Sequence, residues 1–297
     1  MKVLLATDGS AASHEAEWFL CRVPFPEPVD LTLATVAVVP QLGAMRREFP
    51  SSIAKLLDDY HAHSQELLDE DAVRFEGING TVATTVLCGH PADVIIEFAE
   101  REKVDLTVLG ARGKSPSERF LLGSTSQKVA KHAPCSVLVT RPTGFGRNAE
   151  RPLRIVVCHD GSESSRRAVR MLSGISWGAG VRITVLTLVT PFLHSEMQTF
   201  EQAKPLWERE KSDAEESLAW AVDQLKGATP HVTGQLRETA RAADEIVETV
   251  EQLGTDLVVM GDRGHSRIER FFIGSTTENV LRHAACSVWI VRHRSHD

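Results

Sequence analysis

Apolar residues in this chain alternate between two patterns, and the whole alternation occurs twice. The first pattern is a short, nearly unbroken run rich in β-branched residues. Examples are KVLLATDGS at 2–10, LTLATVAVV at 31–39, residues 81–87 and 105–109, and the run CSVLVTR that ends at Arg141. Their second-half counterparts are RIVVCHDGS at 154–162, RITVLTLV at 182–189, residues 231–236 and 256–260, and CSVWIVR. Such runs suit strands covered on both faces of a sheet. The second pattern is a longer segment with apolar residues at helical spacing. Residues 51–75 carry Ile53, Leu56, Leu57, Tyr60, Leu67, Leu68 and Val73; residues 199–226 carry Phe200, Leu206, Trp207, Leu218, Trp220, Ala221 and Leu225. These stripes predict helices facing a core. Shorter helices are predicted over about 91–102 and 241–253, and after each first strand, capped by Ser10 or Ser13 and by Ser162. Pro40 and Pro191 close the second strands. The order in each half is βαβαβαβ, a loop, then αβ. It predicts an α/β fold: a five-stranded parallel sheet with right-handed crossovers and helices on both faces.

The two halves are copies. Asp8 pairs with Asp160, Asp93 with Asp244, Gly110 with Gly261 and Gly123 with Gly274, at offsets of 151 or 152. From Gly110 to Arg141, 17 of 32 positions match their partners in Gly261 to Arg292. A repeat of this length is a whole domain rather than a solenoid unit. Domains are therefore expected at 1–141 and 153–297, joined by a Gly-, Pro- and polar-rich linker, 142–152. The length of 297 residues agrees with two domains.

Composition narrows the function classes. A net charge of −7 argues against nucleic-acid backbone binding as the main role. No apolar stretch approaches membrane-spanning length, and the opening run is cut by Asp8, which argues against a signal peptide. The five cysteines (21, 88, 135, 158 and 286) lack C-x-x-C spacing and read as reduced structural thiols in a cytoplasm, with no metal site.

The chemistry concentrates at GARGKSPSERFLLGST, residues 110–125, and GDRGHSRIERFFIGST, residues 261–276. Each reads Gly, two residues, Gly, nine residues, Gly-Ser, between a fourth strand and a helix. In an open α/β sheet, ligands bind beyond the carboxyl ends of strands where the winding reverses. Asp8 ends the first strand there and Gly110 the fourth. Gly110 and Gly113 let the backbone approach a ligand and permit positive φ. Gly123-Ser124 opens a helix whose free N–H groups suit a phosphate, with Ser124 able to cap or donate. Asp8 is then available for a sugar hydroxyl or a metal-bound water. Gly261, Gly264, Gly274, Ser275 and Asp160 repeat the arrangement. A P-loop is excluded because Val108 stands where its first glycine belongs, and no G-x-G-x-x-G follows the first strand.

With these loops, the DGS turns, HPAD at 90–93 and HAPCSVLVTR, the chain resembles the universal stress protein family in its tandem two-domain form. The resemblance covers both halves almost entirely. It implies strand order 3-2-1-4-5 and an adenine-nucleotide site in each half, taking ATP, ADP or AMP with Mg²⁺. By position, Ala6 and Thr7 would lie beside adenine, Asp8 on the ribose side and Val36 against adenine. Gly110, Arg112, Gly113, Gly123, Ser124 and Thr125 would surround ribose and phosphates. Second-half equivalents are Cys158, His159, Asp160, Leu188, Gly261, Arg263, Gly264, Gly274, Ser275 and Thr276. The family's last strands often pair across a dimer interface. The two halves are therefore expected to pair as an intramolecular pseudo-dimer, and whole chains as a homodimer. Two departures predict unequal affinities: Gly89 is matched by Ala240, and Lys114 by His265.

Other residues carry less. Arg119 and Arg270 read as local salt bridges to Glu118 and Glu269, His61 and His63 as a solvated face, and His132 and His283 as structural. Ser10 and Ser162 lack an evident base, so a serine nucleophile is not expected. The expected role is a nucleotide-dependent regulatory, stress-response protein rather than an enzyme. The alternative is a weak ATPase or an adenylate- or phosphate-transferring enzyme, although the chain has neither H-x-G-H nor S-G-G-x-D-S. A third class, a nucleotide-free interaction module, would be expected to show eroded glycines.

Overall fold

The computed structural model describes residues 1–37, 50–113, 122–145, 151–191, 200–264 and 273–293. The chain divides into two units, Met1–Arg141 and Pro142–His293. In the first, the elements are β1 (Lys2–Ala6), α1 (Ala11–Cys21), β2 (Val29–Ala37), α2 (Pro50–Ala72), β3 (Gly80–Cys88), α3 (Pro91–Arg101), β4 (Leu106–Gly110), α4 (Ser124–His132) and β5 (Ser136–Thr140). Its strands are all parallel, in the order β3-β2-β1-β4-β5.

The second unit holds β6 (Leu153–Cys158), α5 (Glu163–Ser173), β7 (Val181–Val189), α6 (Phe200–Leu225), β8 (His231–Glu238), α7 (Ala242–Gln252), β9 (Leu257–Gly261), α8 (Ser275–His283) and β10 (Ser287–Val291). Its order is β8-β7-β6-β9-β10, again all parallel. The order reverses between β1 and β4, and between β6 and β9. The crevice at the carboxyl ends therefore opens beside Asp8 in one unit and Asp160 in the other. The β4 and β9 segments, LTVLG and LVVMG, are buried at every residue, Thr107 included, as their nearly unbroken apolar runs require.

Local chemistry sets the helix starts. Ser10 caps α1, accepting the Ser13 N–H at 3.2 Å, and Ser162 caps α5, accepting from Ser165 at 3.2 Å. The long helices depart from the apolar stripes read in the sequence. Leu67, Val73 and Leu206, expected to face the core, are 43%, 57% and 52% exposed. Beside the expected Leu68, the inward side of α2 carries Ser64 and Asp71, continued by Phe75 in the 3₁₀ turn Val73–Phe75. Leu68 is buried as expected, but two polar residues share that side, so apolarity alone misplaced Leu67 and Val73. Ala221 and Leu225 of α6 are fully buried, as expected. The segment expected as a linker is partly tied down: Arg151 donates to Thr143 O at 3.1 Å and to the buried Asp256 carboxylate at 2.7 Å. Pro40, and the side chains of Ile53, Leu56, Leu57, Tyr60 and Phe200, lie outside the described residues. Among the described residues, no helix is long and apolar enough to cross a membrane.

Candidate functional site

Each unit carries a cleft at the carboxyl ends of its strands. In the first, the cleft has a volume of about 370 Å³. It brings together all ten residues singled out in that half: Ala6, Thr7, Asp8, Val36, Gly110, Arg112, Gly113, Gly123, Ser124 and Thr125. The second cleft, about 320 Å³, likewise gathers Cys158, His159, Asp160, Leu188, Gly261, Arg263, Gly264, Gly274, Ser275 and Thr276. The apolar wall contributed by the third helix of each unit was missed in the sequence: Pro91 and Ile95 in the first cleft, Ala242 and Ile246 in the second. The amphipathic pattern of those helices signals burial, but not burial against a ligand.

The glycines act differently from the expectation. None of those in the two loops adopts positive φ. A Cβ on Gly110 would come within 2.7 Å of the Ala12 backbone, and one on Gly261 within 2.8 Å of the Ser164 backbone. These glycines let the first helix of each unit pack against the fourth strand. A Cβ on Gly113 would lie 2.6 Å from Asp8 Oδ2, and one on Gly264 would lie 2.7 Å from Asp160 Oδ2. The second glycine therefore leaves room for a carboxylate. That carboxylate is held by its own turn: the Ser10 N–H donates to Asp8 Oδ1 and the Ser162 N–H to Asp160 Oδ1, both at 3.0 Å. The positive φ belongs to the Asp-Gly turns, at Gly9 (+68°) and Gly161 (+78°).

The helix starts at the glycine loops are open. Gly123 and Gly274 are the N-cap residues of α4 and α8, and neither helix has a side-chain cap. Ser124 is thus the first helical residue, not the cap. The Ser126 hydroxyl points back, donating to Ala111 O at 2.8 Å and to Gly123 O at 2.9 Å. In the other copy Thr277 donates to Gly261 O at 3.1 Å. The loop ends are closed by Gly123 N–H to Ala111 O and Gly274 N–H to Asp262 O, both at 2.8 Å. Uncapped amides and the helix dipole point at the cleft mouth, an arrangement that attracts anions.

Differences between the clefts lie beneath and beside this shared frame. Below the first, Thr7 donates to Glu17 Oε1 at 3.2 Å. Glu17 has no exposed side-chain surface, and its Oε2 lies 3.2 Å from Arg74 Nε. Burial, reinforced by Asp71, pushes its carboxyl up to about 7 against the pull of Arg74. His14, Glu17 and Asp71 place ligand-type atoms within 4.8 Å of one another. The Arg74 guanidinium already supplies positive charge there. Below the second cleft, His159 replaces Thr7, and Val169 replaces Glu17. The imidazole Nε2 lies 2.8 Å from Ser217 Oγ, and its ring centroid is 5.6 Å from that of Trp220. Burial pushes this histidine down to about 4. Burial also raises the neighbouring Cys158 thiol far above its ordinary range, so it is not a thiolate nucleophile. At the loop, Asp262 stands where the first copy has Ala111. Its carboxylate accepts from Ser164 and pairs with Arg263 Nε at 3.3 Å.

The Gly89-to-Ala240 departure changes the backbone. Gly89 adopts φ +141°, where a side chain is strained, while Ala240 avoids positive φ. The following N-caps also differ: His90 has φ −80° and Arg241 φ −128°. Lys128 of α4 clamps Asp93 at 2.5 Å and holds its carboxyl below the usual range, whereas Asp244 pairs with Arg241 at 3.8 Å. His61 and His63 are exposed, and His132 and His283 end α4 and α8. Lys114, Glu118, Arg119, His265, Glu269 and Arg270 lie outside the described residues.

A model of the Universal stress protein family matches residues 1–141 and 153–292. The chain belongs to the universal stress protein family. A universal stress protein of Methanocaldococcus jannaschii is 35% identical over 141 residues, covering 47% of this chain and 81% of that protein. Among solved structures, a universal stress protein from Archaeoglobus fulgidus matches with a TM-score of 0.61 at 20% identity, covering 100% of this chain and 97% of that one. A functionally unknown protein from Pseudomonas aeruginosa matches with a TM-score of 0.64 at 15% identity, covering 99% and 92%. Both likenesses are of fold and extend over the two units.

Proposed function

We propose that each unit binds one adenine nucleotide, ATP, ADP or AMP with Mg²⁺, and that occupancy regulates the protein's interactions in a stress response. The carrying observation is the pairing, in both clefts, of an uncapped helix start with an aspartate seated against a side-chain-free glycine. In this reading the phosphates meet the amides of Ser124–Ser126 and Ser275–Thr277, with Arg112 and Arg263 beside them. Asp8 and Asp160 take the ribose hydroxyls. The apolar floor and wall (Val36 and Ile95; Leu188 and Ile246) receive adenine. A regulatory role fits the poor catalytic endowment of the first cleft. Its described lining holds one carboxylate, Asp8, and one guanidinium, Arg112, with no histidine or second carboxylate for acid–base work.

The test is the nucleotide content of freshly purified protein. Denaturation, chromatography and mass identification should release adenine nucleotide, approaching one molecule per unit. Calorimetry with ATP and Mg²⁺ on the emptied chain should show two classes of site. Absence of both signals would sink the reading. A steady turnover of added ATP would replace regulation with catalysis.

A further inference from the structure

At the amino ends of the strands, away from the second cleft, the second unit carries a row of basic side chains. Arg154, Arg182 and His231 are direct partners on β6, β7 and β8, and all three are exposed. Neighbouring parallel strands lie about 4.8 Å apart, so the row spans about 10 Å on one face. Like charges directly opposite one another destabilise a sheet. The row opens on a groove of about 730 Å³, bounded by Gln252 and Leu253 at the end of α7. The next row into the groove is Val156, Thr184 and Thr233, in which the two hydroxyls lie 3.3 Å apart. Among the described residues no carboxylate lines this groove, in a chain with net charge −7.

The first unit provides an internal control. Its equivalent row is Lys2, Asp30 and Thr81. There the Thr81 hydroxyl donates to Asp30 Oδ1 at 2.9 Å, so the row is balanced in charge. Lys2 Nζ donates to Glu102 O at 3.1 Å, and Arg154 Nη1 donates to the matching Leu253 O at 3.3 Å. The first member of each row is thus accounted for as a cation at a helix end. The fold does not account for Arg182 and His231. Among the described residues, neither side chain has a hydrogen bond or ion pair. Asp256, which accepts from the Arg154 N–H, is fully buried and also accepts from Arg151.

We propose that Arg182 and His231 form an anion site for a phosphate group, separate from the glycine-loop clefts. Arg182 offers the planar fork that grips phosphate in a bidentate manner. Thr184, Thr233 and Gln235 extend the polar floor beyond it. The groove exceeds the size of one phosphate, which favours a small phosphate monoester; inorganic phosphate shares the same chemistry.

The experiment follows the His231 ring signals by NMR in the full chain, titrated with inorganic phosphate and separately with glycerol 3-phosphate. Both probes are expected to give a saturating shift that weakens as salt is added. Arg182→Asp and His231→Thr install the first unit's residues at exposed positions. Arg182→Asp is expected to weaken binding at least about tenfold with nucleotide binding unchanged, and to raise the thermal midpoint slightly, because it sets an opposite charge beside Arg154. Tighter binding of glycerol 3-phosphate would identify a phosphorylated small molecule as the ligand; equal binding would identify free phosphate. The proposal is overturned if neither probe shifts His231, if chloride at matched ionic strength shifts it equally, or if Arg182→Asp binds as the parent does.

Discussion

Two cleft floors with one backbone plan have opposite electrical characters. Under the first, a threonine hydroxyl rests on a buried glutamic acid; under the second, a buried imidazole rests on a serine. Val169 fills the place of Glu17, so the second unit has no acid to match. Burial favours the uncharged form of either group, raising the acid to about 7 and lowering the base to about 4. The comparison teaches that duplication kept the backbone frame around each cleft while the supporting layer diverged.

The largest expected effect is an opposite response of the two units to acid. Unfolded Glu17 titrates near 4.5, and folded Glu17 near 7. Between those values the unfolded chain has released a proton that the folded one retains. The first unit therefore gains stability as pH falls from about 7 to 4.5, by an amount on the order of 3 kcal/mol. Unfolded His159 titrates near 6.5 and folded His159 near 4. Here the unfolded chain binds the proton first, so the second unit loses stability on the order of 3 kcal/mol as pH falls from about 6.5 to 4. Hydrogen exchange resolved by unit, at pH 7 and pH 5, reads both trends. Glu17→Gln should flatten the first and leave the second. Parallel responses of the two units would break the comparison.

The loop glycines come next, because they separate folding from binding. Gly110→Ala drives a Cβ into the Ala12 backbone, which cannot rotate away. It should destabilise the first unit by about 2 kcal/mol, read in denaturant unfolding. Gly113→Ala meets only the end of the Asp8 side chain, which can swing aside. It should cost no more than about 1 kcal/mol of stability, for the strained Ser10 N–H to Asp8 bond, and weaken nucleotide binding at that site about tenfold, since the aspartate is displaced. Gly264→Ala should do the same through Asp160. Equal losses of stability from Gly110→Ala and Gly113→Ala would remove the distinction.

The fold was legible because β-branched runs and helical spacing recur at a near-constant offset, and because both clefts draw on short motifs at strand ends. The supporting layer was not. Glu17 is one acid in an ordinary helix until α2 brings Asp71 and Arg74 against it, and that contact joins residues more than fifty apart. Leu67 and Val73 misled for the same reason, since the inward side of α2 is partly polar. His159 was placed by its alignment with Thr7, but its partner Ser217 comes from a distant helix. Neither loop glycine takes the positive φ expected of it, because tight packing, not chain reversal, excludes a side chain at Gly110 and Gly261.

The smallest effect concerns the inequality of the two sites. The sequence pointed to His265 in place of Lys114, and to Ala240 in place of Gly89, as reasons to expect unequal affinities. The described residues supply another. Asp262, mostly buried, pairs with Arg263 Nε at 3.3 Å and places a negative charge beside the region proposed for phosphate. The first loop has Ala111 at that point. Asp262→Ala should release Arg263 and remove that charge, tightening ATP at the second site by about three- to fivefold at low salt. The gain should shrink as ionic strength rises. The same change deletes the acceptor for the Ser164 hydroxyl, so a small fall in thermal midpoint is expected alongside. Calorimetric titration of the variant and its parent at two salt concentrations decides the matter. Unchanged affinity would mean that the guanidinium of Arg263 does not act on the phosphates, and would leave the backbone around Ala240 as the remaining ground for expecting unequal sites.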